Sequence, residues 1–167
     1  FWAKTAGDGQ PCACVYSHCL DVGAVAEATA GALPAIVSGI LPKGFAALVA
    51  THDIGKICPG FQIKCPYWSE KWRARLGLSA EGHEKRHAWV SQKFVASQYS
   101  NPPRWLMAVG GHHGRYLCED AKPLLMPFAP ASIGDGVFAE KRQELLELLT
   151  AEFGPLPDEQ SVAKGAR

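Results

Sequence analysis

No apolar run in this chain approaches the roughly 20 residues needed to cross a bilayer, and no secretory leader is visible. The expected setting is therefore cytoplasmic, with no membrane as partner. Net charge is nearly absent, at +1. That excludes a global attraction to nucleic acid or acidic lipid, so such binding has to use a local patch. The six cysteines, at 12, 14, 19, 58, 65 and 118, lack the Cys-x-x-Cys spacing of a zinc ribbon. A 167-residue chain can build a core without disulfide staples. Reduced thiols are expected, and Cys12 and Cys14 alone make a weak soft-metal site. A Walker-type phosphate loop, an internal repeat and a convincing strand pattern are also missing. What remains is one mainly α-helical domain.

The densest signal is Ala47-Leu48-Val49-Ala50-Thr51-His52-Asp53-Ile54-Gly55-Lys56, an apolar helical run ending in a polar cluster. Phe45, Leu48 and Val49 share a face with His52, which carries an imidazole and the adjacent carboxylate out of the core to a helix end. Gly55 then permits a turn. Upstream, Ser17 reads as the N-cap of a helix from His18 to Leu33. Downstream, helices are expected over 84–98, from Pro102 onward, and over 137–153. The last of these has Leu145, Leu148 and Leu149 on its apolar stripe, with Glu140, Lys141, Arg142 and Glu144 towards solvent. Asp135 suits its N-cap. Residues 117–133 read as irregular surface and 154–167 as a mobile polar tail. Between 64 and 75, four basic residues against one acidic residue are interleaved with Tyr67, Trp68 and Trp72. Such a mixture suits single-stranded nucleic acid, but an amphipathic helix with buried tryptophans is the simpler account.

All six histidines fall at helix starts or ends: His18, His52, His83, His87, His112 and His113. Helices converging at one end of a bundle can bring such positions together. The adjacent His112 and His113, framed by glycines, are hard to explain as packing. Several imidazoles with one bridging carboxylate could hold two metals about 3.5–4 Å apart, an arrangement that activates water against a phosphoryl group.

In order, Trp2-Ala3-Lys4, His18-Cys19-Leu20-Asp21-Val22, His52-Asp53-Ile54-Gly55-Lys56, Pro59-Gly60-Phe61-Gln62, Arg86-His87 and His112-His113-Gly114 resemble the HD phosphohydrolase superfamily. More narrowly, they resemble the HD nuclease domain of the helicase-nuclease of type I CRISPR systems. The resemblance implies an all-α HD-domain bundle with its metal site at converging helix ends. It further implies a metal-dependent nuclease that cleaves single-stranded DNA in CRISPR interference. By that likeness His18, His52 and Asp53 would hold one ion. Asp53, His87, His112 and His113 would hold a second, and Lys56 would balance phosphate charge. Two divalent ions are implied, of manganese, iron, cobalt or nickel, with magnesium also admissible. The implied partners are single-stranded DNA, a helicase domain or subunit, and the CRISPR RNA-guided surveillance complex.

His87 is preferred to His83, and Asp21 is assigned to structure. The family also uses a late aspartate in an Ala-Asp-Trp-like context, which does not occur here. Asp135 is the one late candidate. Residues 1–153 are accordingly expected to form the nuclease domain, cut short at its C-terminal end, and its first ion is expected to be weakly held. Two other readings stay open: a phosphohydrolase of nucleotides or cyclic nucleotides, and a degenerate, non-catalytic HD module that only binds.

Overall fold

Helices dominate because the apolar residues recur at helical spacing and need a common interior. The computed structural model describes residues 1–158, apart from positions 80, 82, 104, 115–117, 120–121 and 124–129. The long outer helices are α1 (Val15–Ala32) and α9 (Val137–Phe153). They pack together closely: a Cβ on Gly23 of α1 would collide with the Phe153 ring of α9. Between them in sequence come α2 (Ala35–Ser38), α3 (Phe45–Ala50), a 3-10 turn over Thr51–Lys56, α4 (Pro59–Gln62) and α5 (Pro66–Leu76). Then follow α6 (His87–Ala96), α7 (Leu106–Gly111) and α8 (Pro130–Ile133). The core joins Val15, Leu48, Ile54, Ile57, Val95, Leu106, Leu145 and Leu149. Among the described residues no helix is long and apolar enough to cross a membrane.

Several elements depart from the sequence reading, each for a local reason. Strands β1 (Trp2–Thr5) and β2 (Pro11–Cys14) form an antiparallel hairpin, and a short β3–β4 pair joins Cys118–Glu119 to Lys122–Pro123. The first hairpin closes through Gly9, at φ 81°, and the Asp8 carboxylate, which accepts from the Gln10 amide at 2.9 Å. Helix α1 begins three residues early because Cys14, not Ser17, is its N-cap, with Sγ accepting from the Ser17 amide. Helix α6 begins at His87 rather than 84. The Glu84 amide is taken by the Ser132 carbonyl at 2.8 Å, and its carboxylate receives the Arg86 amide and guanidinium. Helix α7 starts at Leu106, not at Pro102. The N-cap of α9 is Gly136; exposed Asp135 contributes only its carbonyl.

Arg142 was expected in solvent and is instead buried, at 2% exposure. Its guanidinium donates to the carbonyls of Ile57, Ile133 and Gly134, and burial lowers its pKa to about 10. Helix α9 is thereby tied to the chain just after the 3-10 turn. The start of the expected tail is also held. Pro157 is buried and its carbonyl accepts from the Tyr99 hydroxyl at 2.8 Å; residues 159–167 lie outside the described set. Helix α5 has the expected amphipathic form: Trp68 and Trp72 pack against the core, while Lys71, Arg73 and Arg75 stay exposed.

Candidate metal centre

The centre is built on the 3-10 turn. Thr51 ends α3 by donating its hydroxyl to the Leu48 carbonyl at 2.7 Å. The tighter winding that follows puts Asp53, Gly55 and Lys56 inside. Gly55 allows α6 to lie directly against this turn: a Cβ there would overlap the His87 carbonyl and the Ser91 amide. The Gly55 amide donates to Ser91 Oγ at 2.8 Å. On the other side, Gln62 links three strands of chain. It accepts from the Trp2 amide and donates to the carbonyls of Trp2 and Lys56. The Trp2 indole donates to the Gln62 carbonyl and stacks on Phe61 at 4.5 Å. Phe61 in turn meets His87 edge-on at 4.9 Å.

Four helix ends then converge on one carboxylate. Asp53 Oδ2 lies 2.9 Å from His18 Nε2, 3.2 Å from His52 Nε2 and 2.7 Å from Lys56 Nζ. Asp53 Oδ1 lies 3.0 Å from His87 Nε2 and 3.4 Å from His112 Nε2. His113 Nε2 is 3.0 Å from His87 Nε2. Two sets of donor atoms result, His18–His52–Asp53 and His87–His112–His113, each within 4.8 Å of one another. The five expected histidines and Asp53 are therefore all brought together.

The imidazole tautomers decide what this cluster can hold. His52 Nδ1 faces the Val49 carbonyl at 3.0 Å and His112 Nδ1 faces that of Val109 at 2.7 Å. A carbonyl only accepts, so both Nδ1 atoms carry the proton. In the neutral rings each Nε2 then presents a lone pair towards Asp53. Asp53 Oδ1 and His112 Nε2 are buried without a hydrogen-bond partner despite their proximity. Lone pairs meeting lone pairs in a buried space repel unless a cation lies between them. The same outward Nδ1–H bond orients metal-binding histidines generally. The residues present thus fit divalent ions, with the two Asp53 oxygens turned to the two sets.

Burial acts to raise the Asp53 pKa, but imidazoles of His112, His52 and His87 that carry a proton on Nε2 outweigh it and hold the carboxylate far below its usual range; a cation between the groups takes the place of those protons. Burial pushes the His18, His87 and His113 imidazoles down, favouring the neutral, ligating form. Burial also lowers His112, but Asp53 and the Val109 carbonyl outweigh it and its pKa is raised overall.

The remaining candidates stand apart. Asp21 is exposed on α1, and neither it nor Asp135 joins a donor set. Cys12 and Cys14 are exposed free thiols outside both sets. His83, the residue passed over in favour of His87, precedes α6, is half-buried, and has Nδ1 buried without a hydrogen-bond partner. His87→Ala should therefore remove most of the metal bound by the second set, whereas His83→Ala should leave it near wild type. Elemental analysis of the two purified proteins decides between them, and a larger loss at position 83 would reverse the assignment. Sequence reasoning missed Ser91, whose signal was a small polar residue one helical turn after His87.

The chain matches the family described as Cas3, HD domain, over residues 2–166. No curated protein and no solved structure gives a significant match.

Proposed function

The chain belongs to the Cas3 HD-domain family, and from that premise we propose that it cleaves single-stranded DNA by metal-dependent hydrolysis of phosphodiesters. The family is one of metal-dependent nuclease and phosphohydrolase domains of CRISPR systems. The observation that carries the finer reading is the pair of Nε2 atoms, of His52 and His112, aimed at a buried carboxylate while each Nδ1 faces a backbone carbonyl and Asp53 Oδ1 lacks a hydrogen-bond partner. Divalent ions held there would activate water and offset phosphate charge. Histidine-rich ligation favours manganese, iron, cobalt or nickel, and availability selects among them.

The roles of the chain's own groups follow from their positions. His18, His52 and Asp53 form one ligand set. His87, His112 and His113, with Asp53 Oδ1, form the other. The Val49 and Val109 carbonyls lock two of the rings, so little reorganisation is needed when ions enter. Lys56 donates to Asp53 Oδ2 and to the Ala3 carbonyl at 3.2 Å. Its charge therefore acts on phosphate through the carboxylate it positions, not by direct contact. The proposed partners are single-stranded DNA, a helicase domain or subunit, and the RNA-guided surveillance complex of the same system.

The test is cleavage of linear single-stranded DNA, duplex DNA and a nucleotide panel, each with manganese, cobalt, nickel or magnesium. Cleavage of single strands that a chelator abolishes is the expected result. Turnover of nucleotides without any DNA cleavage would replace this reading with a nucleotide phosphohydrolase. DNA binding with no hydrolysis under any metal would replace it with a binding module.

A further inference from the structure

Beside the centre lies a hollow of about 300 Å³, at the lower end of the ~300–1,000 Å³ usual for small-molecule sites. Two of its wall residues, His87 and His113, belong to the second donor set. The charged residues of its wall are Lys64, Lys85 and Arg86, and none of its lining residues is acidic. Arg86 is neutralised by a two-point contact with Glu84, at 2.8 Å on each oxygen, and its guanidinium lies 3.2 Å from the centre of the Trp89 ring. That pair is a stacked, restrained plane. Lys64 is held in place by the Lys85 carbonyl at 2.7 Å and sits over the Phe61 ring at 5.2 Å. Both lysines line the hollow, the Lys64 ammonium resting on the Lys85 backbone carbonyl, and no carboxylate lines it. Like charges so placed favour a bound anion.

A phosphodiester cleaved at the His87–His112–His113 set is continuous with a neighbouring nucleotide on each side. We propose that this hollow is the subsite for the nucleotide flanking the scissile bond, with Lys64 and Lys85 holding its phosphate and the Arg86–Trp89 plane lying against its base. The inference rests on the single-strand nuclease reading above. Stacking on a plane accepts any base, so the subsite grips without selecting sequence. Lys64 is also the one basic residue of the 64–75 segment that lines this hollow.

The test compares the wild-type chain with Lys64→Gln/Lys85→Gln and Lys64→Arg/Lys85→Arg. Binding of a fluorescent oligonucleotide is measured in chelator across a salt series, and cleavage and bound metal are measured with manganese. The Gln pair should bind DNA about 10-fold more weakly, with a log–log salt slope shallower by about 1 to 2. Its cleavage should fall chiefly through a higher KM, with metal content and circular dichroism unchanged, and the Arg pair should restore affinity. If wild type binds and cleaves single strands but the Gln pair matches it in affinity and slope, the subsite is refuted and the nuclease reading stands. If wild type itself neither binds nor cleaves single strands, the nuclease reading falls and the subsite with it.

Discussion

Asp53→Asn is expected to lose metal-dependent cleavage by more than about 100-fold, beyond the effect of disturbing an outer-shell partner. Asparagine keeps the shape of the side chain but not its charge, and one of its two oxygens becomes a donor. Either set of imidazoles would then face a neutral amide where an anionic oxygen stood, so both ions should be held poorly. The substitution also removes the partner of Lys56, whose side chain is only 10% exposed. A buried ammonium left with neutral acceptors and no counter-charge should cost about 3 kcal/mol of stability in the metal-free protein. Circular dichroism should still report the helical fold, while elemental analysis reports the missing metal. Near-normal cleavage by a folded Asp53→Asn protein would remove the carboxylate from the centre of the chemistry.

Gly55→Ala should damage stability and metal binding together, although none of the three atoms nearest to the methyl group it adds is a proposed ligand atom. The new carbon would overlap the His87 carbonyl and the Ser91 amide, and would stand 2.7 Å from Ser91 Oγ. Two of these neighbours are backbone, so no side chain can rotate aside. The 3-10 turn and α6 would have to separate, breaking the Gly55–Ser91 hydrogen bond and drawing His87 away from Asp53. A loss of about 3 kcal/mol is expected from overpacking of this kind, read by urea denaturation. Metal should be lost at the same time. Wild-type stability with full metal content would show that the contact between turn and helix is looser than the packing indicates.

The residues that the fold gathers at the candidate metal centre were legible in the sequence because their signal is local. His52-Asp53 and His112-His113 are adjacent pairs at element ends, and an order of motifs survives without any knowledge of packing. The span of α9 was legible for a similar reason, its leucines repeating at helical spacing. Arg142 was not, because it sits among charged neighbours and its partners are three backbone carbonyls, which leave no mark in sequence. The β1–β2 hairpin was missed because its four-residue strands have no hydrophobic alternation. The late start of α6 depends on Ser132, far along the chain, accepting the Glu84 amide. Helix propensity around Glu84 carries no information about that.

The placing of Arg142 also has a consequence for the order in which the molecule comes into being. Its bond to the Ile57 carbonyl spans 85 residues, and the Tyr16 hydroxyl reaches the Lys141 carbonyl across 125. On a ribosome, His113 leaves the exit tunnel before either contact can close. All the proposed ligands are thus synthesised while the clasp that fixes the segment after the 3-10 turn is still missing, and closing so long a loop is slow compared with local helix formation. A nascent chain carries the proposed ligands before it carries the centre, and the step that assembles it waits for α9.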